Sequence, residues 1–283
     1  MGNKSSLTQT NFLFTIKAFL KITIGLVLAF MVSTPSIAQT STILEQYNRL
    51  PNFGMYKDTY FITGVPINKQ INNQTADAKF QISIRQRLFN KIMPSDIQFL
   101  LIYTQKSFWH VYQESSPFTD NNYNPGLLFI KPYTQNSQLK GFVSISFEHE
   151  SNGKDDEDNR SWNFFTLSGN YFFNDHLSVQ GKLWYGWLGD DNTDLFDYRG
   201  CGLIAFNYTI PNDRIGVSFV INPIKDFSIN TQLEFSFKLS KASNQYMFLQ
   251  WYNGYGDSLL DYNKHSSMVR IGISLKPTVS RLY

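Results

Sequence analysis

The sequence predicts an all-β fold, a twelve-stranded antiparallel β-barrel that crosses a membrane. Three observations carry that expectation. Apolar and polar residues alternate with a period of two along most of the chain. The alternating segments run to about ten residues each, the length a tilted strand needs to cross a bilayer. The composition is rich in aromatics without being hydrophobic overall: 16% of the 283 residues are aromatic, with 25 Phe and 16 Tyr, and 17% are charged. Mean hydropathy is −0.27. Beyond the amino-terminal segment there is no apolar run of the ~18 residues that a helical span requires. The net charge of +3 is too small to argue for a nucleic-acid partner.

Residues 1–38 read as an export signal. Lys4, Lys17 and Lys21 give the positive flank, 22–32 is an apolar run too short to span, and Ser36-Ile37-Ala38 is a small-residue cleavage site before Gln39. The alternative is an uncleaved amino-terminal anchor. Removing the signal leaves 283 − 38 = 245 residues, a common length for one undivided all-β domain. Cys201 is the only cysteine, so no internal disulfide forms and no lipid-anchored start follows the cleavage site. Residues 39–57 read as a periplasmic arm, and 58–283 as the barrel.

About twelve strands follow from the periodicity. They are placed at 58–65, 78–90, 96–112, 125–135, 139–151, 161–173, 176–188, 197–210, 213–222, 226–239, 243–255 and 266–276. In the second, Phe80, Ile82, Ile84 and Leu88 alternate with Lys79, Gln81, Ser83, Arg85 and Arg87. In the tenth, Phe227, Ile229, Leu233, Phe235 and Phe237 alternate with Ser228, Asn230, Gln232, Glu234 and Ser236. A soluble sandwich turns its apolar face inward, whereas a membrane barrel turns it outward and keeps the polar face inside. The polar face here carries Arg85, Arg87, Lys106, Glu148, Lys182, Glu234, Lys238 and Arg270, enough mixed charge to fill a narrow lumen. Short links such as Asn174-Asp175 and Pro211-Asn212 alternate with longer polar ones at 113–124, 152–160, 189–196 and 256–265. Short periplasmic turns and longer external loops are the barrel pattern. An even strand count then puts both termini in the periplasm and the 152–160 loop outside the cell.

The candidate chemistry sits at the edge of that loop. Val143, Ile145, Phe147, His149 and Ser151 share one face of their strand, and Asn163 shares parity with Phe165, Leu167 and Tyr171 on the next. A nucleophile, a base and an amide therefore lie on the apolar face. An i, i+2 pair on a strand is roughly 7 Å apart at Cα, so an imidazole leaning along the strand reaches a serine hydroxyl. Histidine takes a serine proton at neutral pH, and a neutral amide oxygen can accept the other ring N–H and fix the tautomer. A neutral group suits a face where an unpaired carboxylate is costly. Asn152-Gly153 opens the loop, with Gly153 a candidate amide donor to an oxyanion. Asp155, Asp156, Glu157 and Asp158 follow, oxygen ligands suited to a hard cation. The plain alternatives are a polar pair at the membrane rim and a solvated acidic loop.

These residues also carry a family likeness. His149-Glu150-Ser151-Asn152-Gly153 followed by Arg160-Ser161-Trp162-Asn163 resembles the signature of the outer membrane phospholipase A family. So do Tyr103-Thr104-Gln105-Lys106-Ser107, the segment Glu114 to Phe118, and the segment Gly254 to Asn263. The likeness runs from about Thr59 to Leu275. It implies a calcium-dependent hydrolase of phospholipid and lysophospholipid acyl esters that is active as a homodimer. It implies Ser151 as nucleophile, His149 as base, Asn163 as the orienting residue and the Gly153 amide at the oxyanion. For calcium it implies backbone oxygens of Lys154 and of Ser115 from the partner subunit, with a side-chain oxygen at Asn159, where the family usually has serine. Asp156 matches a carboxylate linked with calcium in the monomer.

Gln105 shares parity with Phe99, Leu101 and Tyr103, so it too faces lipid. A bare amide in hydrocarbon needs a partner, and the same Gln on a second subunit is the symmetric one. The alternative is a Gln shallow enough to reach water. The different-class alternative for the whole chain is a non-enzymatic barrel, a small porin or an adhesion scaffold.

Overall fold

The computed structural model describes residues 47–89, 96–136, 138–211, 214–240 and 243–277. The chain divides into Met1–Ser36 and Ile37–Tyr283, and the described residues all belong to the second unit. The expected export signal and the 39–46 part of the arm lie outside the described residues, as does 278–283.

The strands are β1 (Phe53–Met55), β2 (Thr59–Pro66), β3 (Asp77–Arg87), β4 (Gln98–Trp109), β5 (Phe118–Gln135), β6 (Gln138–Ser151), β7 (Ser161–Phe172), β8 (Leu177–Leu188), β9 (Gly202–Thr209), β10 (Ile215–Pro223), β11 (Ile229–Lys238), β12 (Gln245–Gly254) and β13 (Ser266–Leu275). From β2 onward each pairs antiparallel with its sequence neighbour, and β13 returns to β2 from Met268↔Pro66 to Leu275↔Thr59. That pairing closes the cylinder. β1 pairs with β3 at Phe53↔Gln86 to Met55↔Ile84, while β2 pairs with β3 at Tyr60↔Gln81 to Gly64↔Asp77. The two short strands thus share one position beside β3, and the barrel has twelve.

Side-chain direction is that of a membrane barrel. On β6, Val143, Ile145 and Phe147 are 48%, 49% and 40% exposed, while Ser146, Glu148 and Glu150, of the opposite parity, are buried. Exposed Phe129, Phe165, Leu167, Phe206, Phe235, Ile271 and Ile273 continue the apolar outer wall on other strands. Arg85, Arg87, Glu148 and Arg270 are buried inside, as their parity predicts.

Two apolar clusters stop the lumen. At one end Tyr47, Leu50 and Tyr56 pack on Ile102, Ile130, Phe142 and Phe172. Tyr47 is fully buried, and its hydroxyl donates to the Ile130 carbonyl at 3.1 Å. At the other end Trp162 and Phe164 of β7 meet Leu195, Leu259 and Tyr262 from two loops. A cavity of about 520 Å³ remains, lined by charged groups such as Lys106, Glu148, Lys182 and Glu234 together with apolar side chains such as Leu128, Phe164 and Phe248.

Besides β1, which lies within the expected arm, three segments differ from the sequence expectation. β5 begins at Phe118, not at 125. Pro125 looks like a strand boundary because it lacks an N–H, and 119–124 look like a polar loop. Asp120 and Asn122 face the lumen instead, and buried Asp120 accepts the Leu259 and Leu260 N–H groups at 3.0 and 2.8 Å. Residues 195–199 form a short helix, α1 (Leu195–Arg199), where the strand was expected from 197. Leu195 is fully buried, and Gly200 ends the helix at φ +63°. The 255–265 link folds back into the barrel mouth, with Leu259 fully buried, rather than standing in solvent.

Candidate active site

β6 and β7 pair residue for residue at the site: His149 lies opposite Asn163, Glu150 opposite Trp162, and Ser151 opposite Ser161. Parity turns His149, Ser151 and Asn163 to the outside, level with the end of the exposed apolar row Ile145, Phe147, Phe165 and Leu167. The His149 Nδ1–H donates to Asn163 Oδ1 at 2.9 Å. A carbonyl oxygen can only accept, so this bond puts the ring proton on Nδ1 and leaves Nε2 with a free lone pair. Ser151 stands two residues along the same face. Among the described residues its hydroxyl makes no hydrogen bond to the ring.

Gly153 holds φ +65°, in the left-handed region that side chains disfavour. A Cβ there would also come within 3.0 Å of Tyr123 Cε2. Tyr123 is the β5 register partner of Ser151, so its ring walls the space beside the serine. Among the described residues no acceptor takes the Gly153 N–H, which is free to donate to a developing negative charge. The loop base is held by Asn152, buried: its Nδ2 donates to the Asp158 carbonyl at 2.7 Å, and its Oδ1 accepts the Arg160 N–H at 2.9 Å.

The strand is held differently on its other edge. The β5–β6 register passes from Tyr123↔Ser151 to Gly126↔Glu148. Pro125 has no N–H to give in that gap, and Asn124 Nδ2 instead donates to the His149 carbonyl at 2.9 Å. A side chain thus replaces a missing ladder bond beside His149. Asn124, Tyr123 and Glu150 are residues that the sequence reading passed over. Glu150 carried the one usable signal, a carboxylate of lumen parity between two outward-facing candidate groups.

The candidate cation ligands are placed as follows. Asp156 begins a short 3-10 turn, Asp156–Asp158, with φ +51°, and Asp155 to Asp158 are exposed. Among the described residues no group of three or more His, Cys, Asp or Glu side chains is arranged to hold a metal. A cation here would rely on carbonyl and amide oxygens, which a hard ion accepts. Asn159 fits that role: its Nδ2 donates to Asp191 Oδ2 at 2.8 Å, so its Oδ1 is turned away and available. Ser115 lies on a different loop, 110–117, exposed and at φ +65°. Gln105 is half-buried on the outer wall of β4. It accepts from the Tyr103 hydroxyl at 3.1 Å and donates to Ser107 Oγ at 3.1 Å. Its amide therefore has partners within its own strand.

The phospholipase A1 family pattern matches residues 41–275. The chain belongs to that family. It is 30% identical to the phospholipase A1 of Escherichia coli K12 over 215 residues, 72% of this chain and 71% of that one. A Klebsiella pneumoniae phospholipase A1 matches at 30% over 217 residues, 72% of each. A protein of Neisseria meningitidis serogroup B matches at 27% over 242 residues, 80% of this chain and 61% of the longer relative. Outer membrane phospholipase A from Escherichia coli superposes with a TM-score of 0.71 at 26% identity, covering 81% of this chain and all of that one (100%). The Salmonella typhi outer membrane phospholipase dimer with bound calcium superposes at 0.73 and 26%, covering 84% and 99%. Family and fold together make this a β-barrel of the bacterial outer membrane and a member of a phospholipase family.

Proposed function

We propose that this protein hydrolyses acyl ester bonds of phospholipids and lysophospholipids from the lipid-facing wall of its barrel. The observation that carries the proposal is the outward His149–Asn163 pair at 2.9 Å, beside Ser151 and continuous with an exposed apolar wall. A soluble hydrolase buries such groups in a cleft. Here the acyl chains of the substrate lie along Ile145, Phe147 and Phe165, and the ester meets the serine at the edge of the bilayer.

In this reading His149 Nε2 takes the Ser151 hydroxyl proton as Oγ attacks the ester carbonyl. The Gly153 N–H donates to the carbonyl oxygen as it gains charge. When the tetrahedral species collapses, the C–O bond to the glycerol breaks, and the proton on Nε2 passes to the leaving alkoxide. Water then repeats the sequence on the acyl-serine with the same base, releasing fatty acid and free Ser151. Asn163 holds the ring in the required tautomer throughout and carries no charge itself.

Calcium belongs to the proposal because a similar structure binds it as a dimer. The Lys154 carbonyl, the Asn159 Oδ1 and the Ser115 carbonyl of the partner subunit would hold it, with Asp156 nearby on the loop. When bound, it supplies positive charge close to the oxyanion. The homodimer follows from that shared ligand set and from Gln105 on the outer wall. Each Gln105 can exchange its strand-internal partners for its counterpart.

The test is hydrolysis of a defined phospholipid by the refolded barrel, with Ser151→Ala and His149→Ala. Both variants should migrate as folded, heat-modifiable barrels and release no fatty acid above background. Full activity in either one removes the assignment.

A further inference from the structure

The residue between His149 and Ser151 points the other way. Glu150 faces the lumen and is 6% exposed. Its register partner across the ladder is Trp162, the residue before Asn163. Trp162 Nε1–H donates to Glu150 Oε2 at 2.9 Å. Arg199 donates to the same carboxylate from both ends of its guanidinium, Nη2 reaching Oε1 at 3.5 Å and Nη1 lying closer to Oε2. The guanidinium also stands 5.6 Å from the Trp162 ring centroid. One carboxylate thus ties together the inner faces of both strands that carry the outward-facing groups.

Arg199 is itself held. It is the last residue of α1, and its carbonyl accepts Asn222 Nδ2 at 3.0 Å, while the Tyr198 carbonyl accepts Asn230 Nδ2 at 2.8 Å. The start of the same 189–201 loop pairs with β7, where Gly189 N–H donates to the Ser161 carbonyl at 2.9 Å and Ser161 N–H donates to Asn192 Oδ1 at 3.2 Å. On the outside the loop takes Asn159 through Asp191. It therefore grips the β6–β7 pair at three points around the site.

A role in stability alone explains this poorly. A buried ion pair contributes little net stability compared with well-packed apolar residues. What it does supply is fixed geometry, because a two-oxygen guanidinium fork has few tolerated poses. At this level the other edge of β6 is held by a side chain, Asn124 Nδ2 on the His149 carbonyl, where Pro125 has no N–H to give. Misplacing reacting groups by about 1 Å can cost on the order of 100-fold in rate.

We propose that Glu150 is a positioning residue for His149, Ser151 and Asn163, clamped by Arg199 and Trp162. The 189–201 loop then sets the geometry of the site from inside the barrel. The inference rests on the triad assigned under Proposed function, and its test separates the two.

The experiment measures kcat and KM for a defined phospholipid, per folded barrel, in Glu150→Ala, Glu150→Gln, Arg199→Ala, the Glu150→Ala/Arg199→Ala pair and Ser151→Ala. It also measures the rate at which a long-chain serine-directed phosphonate labels each one. Glu150→Ala should lower kcat and the labelling rate together by roughly 10- to 100-fold, with KM within about twofold. Glu150→Gln should recover much of the loss, because its amide oxygen still accepts the Trp162 N–H. The double variant should be no worse than the poorer single one, since both belong to one clamp. A kcat per folded barrel within about twofold of the parent, a loss confined to KM, or losses that multiply in the double variant would each overturn the inference. Should Glu150→Ala yield no folded barrel, Arg199→Lys decides: it keeps the charge and loses the fork. A drop in kcat of about fivefold or more then supports the clamp, and an unchanged kcat overturns it. Activity surviving in Ser151→Ala would instead bring down the triad, and the clamp with it.

Discussion

Replacing Asn163 by alanine removes the acceptor that holds the His149 Nδ1–H at 2.9 Å. In the resting site that bond joins two neutral groups and is worth about 1 kcal/mol. As Ser151 attacks, the ring becomes an imidazolium, and a bond to a charged donor is worth about 1.5–3 kcal/mol. Only the gain between the two states accelerates the reaction, about 0.5–2 kcal/mol. At about 1.4 kcal/mol per tenfold, this corresponds to a kcat roughly 2- to 30-fold lower. Freeing the ring to adopt the other tautomer pushes the loss toward the upper figure. KM should stay put, because Asn163 holds the base and not the lipid. The assay is the initial rate of fatty-acid release from mixed micelles, normalised to folded barrel. A kcat equal to the parent would show that the bond orients nothing of consequence. A loss as complete as that of Ser151→Ala would show that Asn163 does more than orient, and the division of roles would be wrong. Asn163→Asp is the informative companion. It keeps an oxygen to accept the Nδ1–H, so it should retain more of the parent kcat than Asn163→Ala does.

Excess EDTA should suppress hydrolysis, and Asn159→Ala should raise the calcium concentration needed for half-maximal rate; turnover indifferent to both would remove the metal. Asp191→Ala should act in the same direction but less strongly, because it frees the Asn159 amide without deleting its oxygen. A Gln105→Cys variant should cross-link into a dimer under conditions where the protein is active, and a monomer at full activity would discard that interface. Acid should weaken the barrel through Asp257. Burial alone would raise this carboxyl, but Lys79 and Arg270 outweigh it and hold it well below the usual carboxylate range. Its stabilisation is therefore present above the unfolded value of about 3.9 and is lost as pH falls through the lower folded value. Asp257→Asn should destabilise the barrel at neutral pH by roughly 3–5 kcal/mol, since it leaves Lys79 buried without its 2.6 Å partner. Thermal unfolding followed between pH 7 and about pH 2 checks both, and a pH response in Asp257→Asn identical to the parent would exclude this pair.

The outer wall and the site were readable because lipid imposes a strict rule on each strand. Val143, Ile145 and Phe147 had to face outward, and the period of two then carried His149 and Ser151 with them. The segments that escaped the reading obey no such rule. Polar residues at 119–124 are equally at home in a solvated loop and on a lumen wall; only the backbone amides of Leu259 and Leu260, far along the chain, select the second. Phe196 and Tyr198 alternate with polar neighbours like a short strand, yet the buried Leu195 and the left-handed Gly200 make that stretch a helical turn. Leu259 and Tyr262 in an otherwise polar link were a hint that the link turns inward. Nothing local indicates that Glu150 finds Arg199, because the pairing joins β6 to a loop 49 residues away. The outer His149–Asn163 contact joins neighbouring strands and follows their parity, whereas the inner Glu150–Arg199 pair depends on where a distant loop folds.

The measurement that bears most directly on the whole account is the location of a covalent adduct. The folded barrel is exposed to a long-chain phosphonate dissolved in the bilayer, digested, and its peptides weighed. One adduct is expected, on the peptide carrying Ser151, abolished in Ser151→Ala and slowed in His149→Ala. An adduct on another residue, or labelling of Ser151 only by a water-soluble reagent and never by one in the membrane, would contradict it.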